Sequence, residues 1–332
     1  MTEDQHGMSD TAQGIEPGKA EDAPDGVIHA VWSDYLALLK PRVMSLVVFT
    51  ALTGLVCADT PMHPALAAIA ILCIAIGAGA SGALNMAYEA DLDAKMRRTK
   101  NRPIPAGRIA KGDAAAFGMV LALFSVMLMA LGPGYLAGGL LAFTIFFYAV
   151  VYTMLLKRNT PQNIVIGGAA GALPPVVGWA AATGTMPMNA WLLFAIIFFW
   201  TPPHFWALSL YTAPDYAKAG VPMMPLVKGS KSTRLQILLY SLLLAPLGVA
   251  PAFTGLGGKV YLGVSVLGGV VFLALAARLF LSHAGDDEPD ASGLYTVEPG
   301  VKEARDLFAF SIYYLFALYA ALLLEHGLLR FL

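Results

Sequence analysis

Charge is scarce in this chain. Asp, Glu, Lys and Arg together make up 13% of its 332 residues, about half the share carried by an ordinary soluble domain. Apolar side chains fill 58% and the mean hydropathy is +0.66, more than a water-facing surface could cover, so part of the solvent must be lipid. The formal net charge of −1 leaves no global field to draw a nucleic acid or an acidic partner. Cysteine is scarce too. Cys57 and Cys73 lie in apolar runs without metal-ligand spacing and read as small packing residues. Between Met1 and Gly26 the only basic residue is Lys19, among many Asp, Glu, Gly and Pro. That composition predicts a disordered, acidic, cytoplasmic tail over residues 1–30. It lacks both the basic-then-apolar pattern of a secretory signal and the Arg-rich pattern of a mitochondrial presequence. A bacterial inner (cytoplasmic) membrane is the expected home.

What the chain has in plenty is long apolar runs. About 20 apolar residues at ~1.5 Å each carry a helix across the hydrocarbon. Nine such runs are predicted, at 42–58, 64–88, 113–131, 137–156, 162–182, 188–210, 235–254, 260–282 and 306–325. The expected fold is therefore all-α, a polytopic bundle of nine transmembrane helices occupying 31–332. Basic residues gather in alternate loops: Lys40 and Arg42, then Lys95 to Lys111, Lys157 with Arg158, Lys218 to Arg234, and Arg278 to Arg305. The loops between them hold little more than Lys259, with Arg330 in the C-terminal tail. An excess of Lys and Arg marks the cytoplasmic side. This pattern predicts a cytoplasmic N-terminus and a periplasmic C-terminus.

The most informative stretch is NMAYEADLDAKMRRTKNRP, Asn85 to Pro103. Asn85, Glu89 and Asp93 recur every four residues, which on a continuous helix spreads them over about 80° of one face. Two carboxylates and an amide oxygen form a hard-oxygen stripe suited to Mg²⁺, which binds few protein groups and bridges them to substrate phosphates. Asp91 points elsewhere. Arg97, Arg98, Lys100 and Arg102 follow at once and can hold phosphate charge. Charges at a helix end are often no more than solvated anchors. Here Asn85 and Glu89 extend the stripe into an apolar helix, where ionisable groups are expensive and usually functional.

A second cluster, Tyr211 to Pro225, follows the sixth run on the same side. Asp215 could be a second metal ligand, and Lys218 and Lys228 could meet diphosphate. The segment could equally be a turn built on Pro and Gly. His204 lies in TPPHFW, where a lone histidine in a membrane helix reads first as a hydrogen-bonded packing residue. Gly167, Gly168 and Gly171, with Pro174 and Pro175, are expected to let helices approach closely.

Several segments together resemble a known family. They are LLKPRV at Leu38–Val43, the Asn85–Pro103 stretch, and YTMLLKRNTPQNIVIGGAAGALPPVVGW at Tyr152–Trp179. WTPPHFWALSLY at Trp200–Tyr211, DYAKAGVPMMP at Asp215–Pro225 and SIYYLFALY at Ser311–Tyr319 complete the set. The chain resembles the heme O synthases (protoheme IX farnesyltransferases), a branch of the UbiA-type intramembrane prenyltransferases, from about Trp32 to Leu332. The resemblance implies nine helices around a central cavity, with Mg²⁺ and farnesyl diphosphate at its cytoplasmic mouth and heme b as acceptor. It implies metal and diphosphate ligation by Asn85, Glu89 and Asp93, with Asp215 as the second acidic site. Lys40, Arg42, Arg98, Arg102, Lys157 and Arg158 would contact diphosphate or heme propionates, and His204 would be either an axial ligand to the heme iron or a packing residue. A downstream heme A synthase or terminal oxidase would be the partner. Glu89 stands where relatives commonly carry Asp, and Pro214 where a second polar residue beside Asp215 is expected. Two other readings are a prenyltransferase for a quinone precursor such as 4-hydroxybenzoate, and a heme transporter or scaffold without catalysis.

Overall fold

The computed structural model describes residues 30–286 and 301–328. The acidic tail and Arg330 fall outside these residues. Among the described residues every regular element is helical. Eight helices are long and apolar enough to cross a membrane, and a ninth span arises if α1 (Trp32–Leu38) and α2 (Pro41–Cys57), bent by 52°, count as one. The others are α3 (Pro64–Tyr88), the short α4 (Ala90–Lys95), α5 (Lys111–Leu131), α6 (Tyr135–Phe146), α7 (Asn163–Ala172), α8 (Pro174–Thr183), α9 (Met188–Ala219), the short α10 (Met224–Lys228), α11 (Ser230–Val249), α12 (Lys259–Leu281) and α13 (Val301–Leu323).

Neighbours in sequence pack as neighbours in space, and α13 packs on α2, which closes the helices into a ring. Close approach comes from small residues. A Cβ on Gly54 would lie 2.1 Å from the Pro175 carbonyl oxygen, and one on Gly178 would lie 2.1 Å from that of Ala51. Backbone therefore meets backbone where α2 crosses α8, the membrane solution when hydrophobic exclusion offers no drive. At the end of the bundle away from the basic loops, Glu325 accepts from the backbone N–H groups of Gly258, Val260 (2.8 Å) and Tyr261 (3.1 Å). The π-helical turn Leu324–Leu328 that follows α13 thereby satisfies the first turn of α12, whose N–H groups have no partner within their own helix.

Four departures from regular helix bear on the site. Pro41 disfavours the helical region for the residue before it, and Lys40 adopts the left-handed region at φ 52°, so α1 and α2 meet at a sharp corner. The stripe expected on one undistorted helix is bent at Glu89 (φ −93°, ψ 12°), where α3 gives way to α4. The i→i+4 bonds nonetheless continue, from Glu89 N to Asn85 O (2.9 Å) and from Asp93 N to Glu89 O (2.8 Å). Third, α6 widens into a π-helix over Phe147–Leu156. Fourth, the run expected at 162–182 is broken at Leu173, before the Pro pair that opens α8.

The run expected to stop at 210 is longer than its limits: α9 continues to Ala219 with Pro202, Pro203 and Pro214 inside it. Its 32 residues span about 48 Å, so its last turns project beyond a hydrocarbon core of about 30 Å. Asp215 and Lys218 therefore lie on helix rather than in a turn. Apolarity falls off at Tyr211, but the helix continues through the polar residues that follow.

Candidate active site

Asn85, Glu89 and Asp93 are all buried, at 3%, 1% and 3% exposure. Each is met by one cation from a different part of the chain. Lys40, carried in by the α1–α2 corner, donates to Asn85 Oδ1 at 2.7 Å. Lys157, just beyond the π-helix, pairs with Glu89 Oε2. Arg102 donates from one guanidinium nitrogen to both oxygens of Asp93, at 3.0 and 2.8 Å. Thr99 donates to the Asp93 carbonyl at 2.8 Å, near the end of α4. Glu89 Oε1 is buried and has no hydrogen-bond partner among the described residues. A buried carboxylate oxygen left open is costly, and it marks where a cation would be welcome.

Asp91 faces away, as its position on the helix suggested. It is exposed and pairs with Arg158 at 2.8 and 3.0 Å, whose guanidinium also lies over the Tyr88 ring, 5.0 Å from its centroid. The Arg158 hydrogen bond holds the Asp91 carboxyl below the ordinary carboxylate range. Arg158 is thus turned from the stripe.

The remaining expected residues are dispersed. Asp215 is half-buried near the end of α9, which packs against α4. No hydrogen bond or ion pair among the described residues falls on it. Glu89, Asp93 and Asp215 do not form one cluster, since no three His, Cys, Asp or Glu side chains of the described residues group together as a metal site. Arg42, Arg98 and Lys218 are exposed. Arg98 and Arg305 both lie within electrostatic reach of Tyr211, which contacts Phe308 across α9 and α13.

His204 is stacked between Trp200 and Phe308, with ring centroids 4.2 and 4.6 Å away. Its Nδ1 lies 2.6 Å from Ser311 Oγ. Ser311 donates its own proton to the Phe308 carbonyl, so Nδ1 must be the donor and Nε2 carries the lone pair. The ring is therefore packed between two aromatic faces, with no hydrogen bond on Nε2 among the described residues.

Sequence reasoning missed Thr153, which is fully buried and accepts from Asn85 Nδ2 at 3.1 Å. No spacing signal pointed to it, because the π-helix shifts its register. Tyr148 and Tyr152, 5.3 Å apart, lie within electrostatic reach of Glu89. Gly167 admits Tyr152, for a Cβ there would lie 2.1 Å from its ring. Gly168 similarly admits Thr201. Gly171 borders open space instead and is not part of that close approach.

The all-helical fold has counterparts among known proteins. Residues 47–297 match the UbiA prenyltransferase family. The chain belongs to that family. Among curated relatives of this UbiA prenyltransferase, the protoheme IX farnesyltransferase of Caulobacter sp. (strain K31) is 65% identical over 318 residues and covers 92% of each chain. That of Caulobacter vibrioides is 66% identical over 304 residues, covering 89% of this chain and 91% of the relative. A solved digeranylgeranylglyceryl phosphate synthase superimposes with a TM-score of 0.71 at 16% identity, covering 89% of this chain and 98% of the other. A UbiA homolog from Archaeoglobus fulgidus bound to GPP and Mg²⁺ superimposes with a TM-score of 0.60 at 16% identity, covering 86% and 99%. The chain is an enzyme of the prenyltransferase class, multi-pass in a membrane.

Proposed function

We propose that this UbiA prenyltransferase moves a farnesyl group from farnesyl diphosphate to a vinyl group of protoheme IX (heme b), with addition of water, to make heme O. The observation that carries it is the buried stripe of Asn85, Glu89 and Asp93, ringed by Lys40, Lys157 and Arg102. The name shared by its relatives selects the acceptor.

The stripe fits Mg²⁺. Its donors are all oxygen, the open Glu89 Oε1 is buried, and two carboxylates with an amide leave positions for water and diphosphate, as this ion prefers. Asn85, Glu89 and Asp93 would hold it, and when bound it supplies positive charge to the departing diphosphate. Asp215, without an ion pair among the described residues, is the proposed second acidic contact.

In the reaction the C–O bond of farnesyl diphosphate breaks and diphosphate leaves with the electron pair. The vinyl π electrons form the new C–C bond. Water then adds to the resulting porphyrin-conjugated cation and loses a proton. Lys40, Lys157 and Arg102 stabilise the charge developing on the leaving group, with Arg42, Arg98, Arg158 and Lys218 as outer contacts for diphosphate or propionates. The faces of Tyr148 and Tyr152 suit the allylic cation. His204 offers Nε2 to the heme iron, its tautomer set by Ser311.

The basic end of the bundle is the proposed cytoplasmic face of a bacterial inner membrane, with the N-terminus cytoplasmic and the C-terminus periplasmic. The product would pass to a heme A synthase or terminal oxidase. The test is to incubate purified protein with heme b, farnesyl diphosphate and Mg²⁺ and to analyse the extracted hemes by mass spectrometry. A heme bearing the hydroxyethylfarnesyl mass, lost on chelation, is expected. Unchanged heme beside prenylated 4-hydroxybenzoate would move the enzyme to the quinone branch. Prenylation of neither would point to binding or transport.

A further inference from the structure

Thr153 stands one turn before the end of the π-helical stretch Phe147–Leu156 and is fully buried. Elsewhere in the chain, helical threonines such as Thr201 and Thr212 donate to the carbonyl four residues back. Thr153 donates five residues back, to Tyr148 O at 2.8 Å, as the wider helix dictates. A hydroxyl has a single proton. With that proton committed to Tyr148, the oxygen facing Asn85 can only accept.

The consequence falls on the amide. Asn85 must turn Nδ2 toward Thr153 (3.1 Å) and Oδ1 to the opposite side, where Lys40 donates at 2.7 Å. The reverse orientation would set Oδ1 against the Thr153 lone pairs and the NH₂ against the Lys40 ammonium. Both contacts would be repulsive, so the orientation is determined twice over. An aspartate at 85 would likewise bring a carboxylate oxygen against Thr153 with no proton between them.

We propose that Thr153 is a positioning residue of the diphosphate–metal site, orienting the Asn85 amide so that its oxygen, rather than its nitrogen, faces the bound ion. π-helical turns recur at functional sites, and here the turn supplies a hydroxyl whose direction is set. This inference rests on the reading of Asn85, Glu89 and Asp93 as metal ligands.

The test uses the full chain in detergent, with Mn²⁺ as a paramagnetic probe and inorganic diphosphate present, and follows bound Mn²⁺ by electron paramagnetic resonance. Thr153→Val keeps the shape and removes the acceptor, and is expected to weaken Mn²⁺ binding about fivefold or more, the worth of a lost hydrogen bond. Thr153→Ala should weaken it similarly, and Thr153→Ser should bind within about twofold of the wild type. Should Thr153→Val fail to fold, the Ala and Ser pair decides. Wild-type affinity in the Ala or Val variant, or an equal loss in Thr153→Ser, overturns the inference and leaves the metal reading standing. Failure of the wild type itself to hold Mn²⁺ with diphosphate overturns both.

Discussion

Arg102 holds both carboxylate oxygens of Asp93, at 3.0 and 2.8 Å, and so occupies the group that the proposed mechanism needs for a metal. Lys157 meets one oxygen of Glu89, leaving Oε1 open, and Lys40 meets the amide oxygen of Asn85. Each of the three proposed ligands has one of the chain's own cations beside it.

Metal and diphosphate should therefore bind together far better than either alone. A lone Mg²⁺ meets three cations, and a lone diphosphate meets carboxylates already paired with the bases it needs. Calorimetry should give an affinity for each that rises at least about tenfold in the presence of the other, a coupling of about 1.4 kcal/mol. Independent binding would count against this exchange of partners.

Asp93→Asn should lower heme O formation by about 100-fold or more, the scale seen when one charge-stabilising group is removed. Asp91→Asn should leave it nearly unchanged, because Asp91 faces Arg158 on the outer side. Mass spectrometry of extracted hemes reads both. Equal losses in the two variants would mean that charge at this helix end, not the stripe, matters.

The Asp91–Arg158 pair is half-exposed, so its loss should lower stability by less than about 1 kcal/mol. Arg158 holds the Asp91 pKa below the usual value, so the pair contributes fully above the unfolded-state pKa of about 3.9. It is lost as pH falls through the lower folded value. The melting-temperature gap between wild type and Asp91→Asn should accordingly persist at neutral pH and close only below about pH 4.

His204→Phe keeps an aromatic ring between Trp200 and Phe308 and removes the imidazole. Folding should survive, while heme affinity falls about tenfold and the imidazole-ligated Soret signature disappears. An unchanged spectrum would leave His204 with packing alone. Ser311→Ala should weaken heme binding less, since it frees the tautomer without removing the ligand.

Gly167→Ala should destabilise the protein by about 1–3 kcal/mol, since the new methyl lands 2.1 Å from the Tyr152 ring and overpacking is penalised on this scale. Gly171→Ala, facing open space, should be near neutral. Detergent melting curves separate the two.

The chain's own composition decided that this is a membrane bundle, because 58% apolar residues leave no other solvent for them. Apolar run length matched the helix bounds to within a few residues at α3 and α12, where the apolar run and the helix end together. It failed at α9, since a helix can outrun the bilayer while its residues turn polar. Four-residue spacing put Asn85, Glu89 and Asp93 on one side and Asp91 on another, because that relation is local to one helix even through the bend at Glu89. Which cation meets which oxygen was decided only by the tertiary structure. Lys40 and Lys157 arrive from segments 45 and 68 residues away in sequence from the groups they meet, by a left-handed corner and a π-helix that no periodicity announces. Thr153 stayed hidden for the same reason: its role is the direction of one proton, set by a carbonyl five residues back and an amide on another helix.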